Sequence, residues 1–247
     1  MKAYERVETD RKLDGIIYAR IDGRGFSKFT KSFKKPYDTN IIGAMQATTE
    51  HLVRVTNAVC GYTQSDEISL MWDNTDDPKS EHFFAGKVQK MVSTLAAMAS
   101  VKFYSVLAEK GVLPKDSLPT FDARVYELPD RYEAMNAFLW RQQDAKRNAI
   151  QMLGQSQWSH RELQNKSTDD VELMLMERDP WLVWGAPHDF MRGTFYKRCT
   201  IEKQLEVGTV KRTIVAHYYV DLMELINTDA RVDFVCTKKM ELSDYDD

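Results

Sequence analysis

The order of apolar segments predicts an α+β protein: a ferredoxin-like βαββαβ unit followed by a C-terminal helical and β-hairpin region. Three observations carry this. A short β-branched run, GIIYARI at 15–21, leads into a Gly- and Pro-containing loop. Two long segments of helical period flank a close pair of strand-like runs. A further strand-like segment, TFDARVYEL at 120–128, follows Pro114 and Pro119.

The first helix is expected over 39–58, where Ile41, Ile42, Met45, Thr49, Leu52, Val53 and Thr56 share one face and Asp38 or Thr39 supplies an N-cap. Segments 58–63 and 67–72 are strands around Gln64-Ser65-Asp66, a connection short enough to require an antiparallel hairpin. The second helix is expected to start at Pro78 and run to about Lys110, with Gly111 as its stop and Phe84, Val88, Met91, Leu95, Met98 and Val106 as its core stripe. Pro129-Asp130 opens a helix over 131–153, and Ser159 with Glu162 has capping-box spacing for another. Segments 194–205 and 210–221 alternate as a hairpin around Gly208. A boundary near 130 divides the chain into 1–130 and 131–247, and the acidic tail MELSDYDD is expected to be solvated.

Composition narrows the function classes. With 43% hydrophobic and 29% charged residues the chain is ordinary globular material, neither disordered nor repetitive. No stretch approaches the ~20 apolar residues of a membrane span, and MKAYERVETDRK has no apolar run of a secretory leader. Cys60, Cys199 and Cys236 form no CxxC pair, so a disulfide scaffold and a thiolate zinc site are excluded and a reducing cytoplasm is expected. A net charge of −3 excludes a wholly basic nucleic-acid coat protein but leaves room for a local basic groove.

Chemistry concentrates where two segments are expected to meet. Asp22-Gly23-Arg24-Gly25-Phe26 follows strand one, and Ser65-Asp66-Glu67 begins strand three. In a ferredoxin-like sheet those strands are central neighbours, so Asp22 and Asp66 converge at one edge. Two carboxylates with nearby carbonyl oxygens make a hard-oxygen site suited to Mg²⁺, and two such ions suit phosphoryl transfer. Gly23 and Gly25 permit backbone approach to a triphosphate. A lone Asp-Gly or Ser-Asp-Glu is ordinary turn chemistry; both abutting strands in this topology is what raises the metal reading.

Segment 20–35 carries Arg20, Arg24, Lys28, Lys31, Lys34 and Lys35 against Asp22 alone. A phosphate-rich ligand would neutralise it. Its Phe26, Phe29 and Phe33 are expected in the core, because exposed aromatic clusters of that size are uncommon. Histidines 51, 82, 160, 188 and 217 show no metal spacing, and His51 is expected to be structural.

Together the motifs resemble the tRNA(His) guanylyltransferase family. The carriers are Arg20-Ile21-Asp22-Gly23-Arg24-Gly25-Phe26, Lys35-Pro36-Tyr37-Asp38, Gln64-Ser65-Asp66-Glu67-Ile68-Ser69, Phe121-Asp122-Ala123-Arg124-Val125, Trp140-Arg141-Gln142-Gln143-Asp144 with Arg147-Asn148, and Arg192-Gly193-Thr194. The short basic loop before Lys35 and the Arg147-Asn148 pair look more like the guanylyltransferase-like branch, which is associated with repair of truncated tRNA 5′ ends.

The resemblance implies a polymerase-palm domain that adds nucleotides in the 3′-to-5′ direction to a tRNA 5′ end, after activation with ATP or GTP, and a homotetramer. It implies Asp22, Asp66 and the Gly23 carbonyl as ligands of two Mg²⁺ ions. Asp22, Asp66 and Glu67 are the implied catalytic acids. Gly23, Arg24, Gly25, Phe26, Lys35, Asp38 and Ser65 are the implied nucleotide contacts. Arg141, Asp144, Arg147 and Asn148 are tied to activation or RNA binding. Ser27 stands where the guanosine-adding enzymes have His, and Lys146 replaces a His common in the later helix. These departures bear on tRNA(His) specificity and activation and leave the metal carboxylates untouched. Two other classes fit parts of the sequence: a palm-type nucleotide cyclase needing no RNA, and a non-catalytic RNA-binding module.

Overall fold

β1 (Ile16–Gly23) turns every second side chain to one face, so Ile17, Ala19 and Ile21 enter one core and Ile16 and Tyr18 another. The computed structural model describes residues 11–76, 81–205, 208–237 and 240–241. Of the tail expected to be solvated, Met240 and Glu241 instead pair as a short strand, and the part from Leu242 onward lies outside the described residues.

On the first face lie α1 (Thr39–Thr56) and α2 (Val88–Glu109). α1 starts at Asp38, the first of the two N-caps the sequence allowed, whose carboxylate accepts from the Asn40 N–H at 2.8 Å. β2 (Cys60–Gln64) and β3 (Glu67–Asp73) form the expected antiparallel hairpin. β4 (Phe121–Leu128) closes the unit on the other side of β1. The order β4-β1-β3-β2, all antiparallel, is the ferredoxin-like sheet that the βαββαβ order predicts.

Two expectations about α2 are corrected. It begins at Val88 instead of Pro78, and Pro78 itself lies outside the described residues. The chain before Val88 makes a tight turn over Phe83–Gly86, with Phe84 and Ala85 in left-handed conformation, as Lys12 bridges Lys87. Phe84 is therefore 41% exposed and outside the stripe, which is Met91, Leu95, Ala99, Phe103, Val106 and Leu107. This helix is also long and apolar enough, by length and composition, to cross a membrane, although no such stretch was expected. Its apolar stripe lies in the core shared with the sheet and α1.

The second half of the chain extends the same sheet. α3 (Arg131–Gln157) is N-capped by Asp130, which accepts from Glu133 N–H at 2.8 Å. Its N-terminal half packs Ala134, Met135 and Phe138 on the second face, the Phe138 ring 5.2 Å from that of Tyr18. Its C-terminal half packs Ala149, Ile150 and Leu153 on Val171 and Leu175 of α4 (Thr168–Arg178). Ser159 and Glu162 form the expected capping box, over the single turn His160–Leu163. β5 (Thr194–Leu205) and β6 (Gly208–Tyr218) form the expected hairpin. β5 then pairs with β2, giving the order β4-β1-β3-β2-β5-β6, with β7 (Met240–Glu241) beside β5. α5 (Thr228–Cys236) covers the second face beside α3; the buried Lys197 ammonium donates to its Phe234 and Val235 carbonyls at 2.6 and 2.8 Å.

The junction into β5 depends on Gly193. Its φ is +72°, and a Cβ there would lie 2.5 Å from the Thr63 carbonyl oxygen and the Tyr62 hydroxyl. Gly193→Ala should destabilise the fold by at least ~2 kcal/mol, about 4–8 °C in Tm. Gly111→Ala is the control: φ is +66° there too, but a Cβ meets open space. Thermal melts giving equal losses for both would contradict the steric account.

Candidate active site

The antiparallel register places Asp22 opposite Glu67 on β3 and opposite Asp122 on β4. Asp66, one residue before Glu67, sits in the β2–β3 turn, and its carbonyl accepts the Gly23 N–H at 3.1 Å. Gly23 makes that approach possible: a Cβ there would lie 2.5 Å from the Phe26 ring and 3.1 Å from Asp66 Cβ. Asp22 and Asp66 thus meet at one edge of the sheet, as expected from the topology. Burial pushes the Asp66 carboxyl up from its ordinary pKa, and the neighbouring Asp22 charge pushes it further.

Glu67 has a different environment. It is 3% exposed and forms ion pairs with Arg20 Nε at 2.6 Å and Arg141 Nε at 2.7 Å. Burial raises its pKa, and Arg141 and Arg20 oppose the rise. Arg20, the guanidinium nearest the Asp22–Asp66 edge, is held by Glu67, and its charge offsets the rise in the Asp66 pKa only in part. What remains is two hard-oxygen carboxylates in mutual repulsion, an arrangement that fits a divalent cation. Among the described residues no group of three His, Cys, Asp or Glu side chains converges, so such an ion would complete its shell with backbone and ligand oxygens.

Beside this edge lies an open cleft. Phe26, Lys35, Asp38 and Ser65 line it, joined across the opening by Asn148 of α3. Arg24 and Gly25 are exposed at its approach, outside its lining. Phe26 also packs in the core with Phe29 and Phe103, and Phe33 joins them from the same loop. Asp38 shapes the loop as well as lining the cleft, because its second oxygen accepts Lys34 N–H at 3.1 Å. Burial would raise its pKa, but the N–H groups of Lys34, Asn40 and Ile41 outweigh that and hold it low.

The four residues of the later motif separate. Arg141 is buried between Glu67 and Asp144, Arg147 is exposed and 3.9 Å from Asp144, and Asn148 alone lines the cleft. Lys146 pairs with Glu172 at 3.0 Å, away from the cleft. Sequence reasoning missed part of the lining: Gln46, Asp189, Phe190 and Thr194, with Gln46 Nε2 donating to Asp189 Oδ2 and Thr194 Oγ1 at 3.1 Å each. Gln46 falls on the α1 face beside Ile42 and Met45, so an interrupted apolar stripe was the one available signal.

A palm-like antiparallel sheet with two acids at its edge above a deep cleft and a basic loop defines the class: a nucleotidyltransferase. Residues 1–129 match the sequence model of the family described as tRNAHis guanylyltransferase (Thg1), and the chain belongs to that family. It is 29% identical to the uncharacterized protein R259 of Acanthamoeba polyphaga mimivirus, over 98% of this chain and 89% of that protein. It is 34% identical to the tRNA(His) guanylyltransferase of Schizosaccharomyces pombe, over 61% of this chain and 56% of that enzyme, so the alignment spans little more than half of the fungal protein. The solved structure of a bacterial Thg1-like protein in complex with ATP matches with a TM-score of 0.81 at 30% identity, covering 95% of this chain and 96% of that one. Its GTP complex matches with a TM-score of 0.75, and the enzyme from Saccharomyces cerevisiae, at 20% identity, shares the fold.

The adjacent acids should respond oppositely to neutralisation. Asp66 has a raised pKa in the folded state, so its ionised form costs stability above the ordinary carboxylate pKa; that cost grows as pH rises through the unfolded and then the folded pKa. Asp66→Asn should therefore keep or raise Tm at pH 7–8 without divalent cation. Glu67→Gln removes the buried carboxylate that Arg20 and Arg141 share, leaving Arg141 with Asp144 alone, and should destabilise by ~3 kcal/mol. Melts of both variants check this, and a large loss for Asp66→Asn would contradict it.

Proposed function

We propose that the protein uses the Asp22–Asp66 edge to add nucleotides, in the 3′-to-5′ direction, to the 5′ end of a tRNA, as templated end repair or as guanylate addition to tRNA(His). The observation that carries the reading is the convergence of Asp22 and Asp66 beside a cleft walled by the basic loop. Asp22, Asp66 and the Gly23 carbonyl would hold Mg²⁺. Bound there, the ions supply charge neutralisation for the phosphates and a lowered pKa for the attacking hydroxyl.

The chain's own residues position the reactants. Arg24 and Lys35, both exposed on the loop, contact the triphosphate, with Gly25, Phe26, Asp38 and Ser65 fitting the rest of the nucleotide. Asn148 meets the nucleotide or the RNA end from the opposite wall, and exposed Arg147 offers a phosphate contact beside it. Glu67 acts as a positioning residue: it holds Arg141, and so α3 with Asn148 and Asp144, against the sheet. With the 5′ phosphate activated by ATP or GTP, the 3′-hydroxyl of the incoming nucleotide attacks it and the activating group leaves. Little covalent work falls to side chains, so positioning and electrostatics carry the rate.

Residues 1–130 form the catalytic unit in this reading, and 131–247 serve activation, RNA binding and contacts in a homotetramer. The three free, buried cysteines suit the expected cytoplasm. The test incubates the protein with Mg²⁺, each labelled NTP, and full-length or 5′-truncated tRNA of defined 5′-phosphorylation. Addition at the truncated 5′ end, following the complementary base, is expected, and Asp22→Asn should reduce it to background while retaining the wild-type fold. Product from NTP alone would favour the cyclase, and full activity of Asp22→Asn would end the mechanism.

A further inference from the structure

Two side chains near the acidic edge have no role in the reading above: Arg124 of β4 and Trp140 of α3. Strand register places the first. Arg124 lies directly opposite Arg20 of β1, and Tyr126 directly opposite Tyr18. Directly opposed strand residues share a face, and Tyr18 belongs to the second one. Arg124 and Tyr126 therefore stand on that face beside Arg20. α3 covers β1 and β3 there, with Phe138 against Tyr18 and Arg141 against Glu67. The β4 side stays open, and Arg124 and Tyr126 are exposed. Trp140 borders this strip; it is 58% exposed, and its ring centroid is 4.8 Å from the Arg141 guanidinium.

Two arginines in direct cross-strand register repel each other. Arg20 has one ion-pair partner, Glu67, which it shares with Arg141. Arg124 has no ion pair among the described residues. Such a pair suits an anionic ligand. The strip ends at the row Asp122–Asp22–Glu67, two residues or ~7 Å along the strands from the arginines. The cleft opens beyond Asp66 on the other side, where Thr63, Gln64 and Ser65 line it. A transfer reaction brings two reactants to the acidic edge, and the cleft takes one.

We propose that this strip seats the 5′ end of the RNA. Arg124 and Arg20 grip the phosphate next along the strand from the one that reacts, Trp140 stacks on the terminal base, and Tyr126 floors the strand beyond. The proposal rests on the reading of the acidic edge as the transfer centre. With one phosphate held at the arginines, its 5′ neighbour reaches the acidic row. The planar guanidinium fork meets two phosphate oxygens at once, and an aromatic face accepts any base. The contact is therefore blind to sequence, which leaves base choice to the complementary strand.

Fluorescence anisotropy of a 5′-truncated tRNA with the full chain, in Mg²⁺ without NTP, tests this. The tRNA carries an uncharged methylphosphonate at its first internucleotide linkage or, as control, at its fourth. Neutralising the first linkage should weaken wild-type binding about tenfold, and more than the control does. Arg124→Gln should bind the unmodified tRNA about tenfold more weakly, lose the penalty at the first linkage, and lower the salt slope of log K by about one. Trp140→Leu should weaken binding about tenfold with the slope unchanged. Both variants should keep the wild-type Tm and affinity for ATP. A folded Arg124→Gln that still pays the first-linkage penalty would overturn the phosphate grip, and wild-type affinity in Trp140→Leu the stacking; either leaves the transfer reading standing. A wild type that binds no tRNA would overturn the RNA substrate of that reading, and this inference with it.

Discussion

Glu67 joins the two halves of the chain through charge. Its carboxylate lies between Arg20 of β1 and Arg141 of α3, at 2.6 and 2.7 Å, with a side chain only 4% exposed. At a wet surface such contacts contribute little. Here the Glu67 carboxylate is buried, so removing Arg20 or Arg141 leaves its charge in a dry interior with a single partner. The sheet edge carrying Asp22 and Asp66 is thereby fixed relative to the helix carrying Asn148. The alternation of side chains gives adjacent residues opposite tasks: Glu67 points under α3 and is paired by two arginines, while Asp66 at the turn stays beside Asp22, its pKa raised by burial and by that charge and only partly offset by Arg20 and Ser65.

A second set of bonds holds the far wall of the cleft. Gln142 is almost fully buried; its amide donates to the Arg192 and Val220 carbonyls at 3.1 and 2.7 Å and accepts from Leu222 N–H at 2.8 Å. The Tyr62 hydroxyl donates to the same Arg192 carbonyl at 2.7 Å, and the Arg192 guanidinium pairs with Asp221 at 2.9 Å. These tie the 189–194 segment to β2 and α3. The cleft is consequently built from both halves of the chain, each wall held by buried hydrogen bonds, which suits a reaction that works mainly by preorganised positioning.

Much of the fold was legible because its signals are local. Asp38 as N-cap, the Ser159–Glu162 capping box, the tight β2–β3 connection and the alternation of β1 each involve residues a few positions apart. Where a local pattern was overridden, a distant contact did it. The bridge between Lys12 and Lys87 places a left-handed turn where a helix was expected, and Phe84 drops out of the stripe. The apolar length of α2 reaches that of a membrane span, against the expectation from sequence, and its stripe packs on α1 and the sheet.

The sequence by itself determined the βαββαβ order, and with it that Asp22 and Asp66 share one edge, since strands one and three are central neighbours in a ferredoxin-like sheet. Only the tertiary structure decided that β5 continues the sheet beyond β2, that Glu67 is enclosed by two arginines, and that Gln46 meets Asp189 and Thr194 from 143 and 148 positions away. Hydrophobic period and turn chemistry record what a residue does with its near neighbours. Which side chains meet across a packed interior depends on register and helix placement, which no single segment specifies.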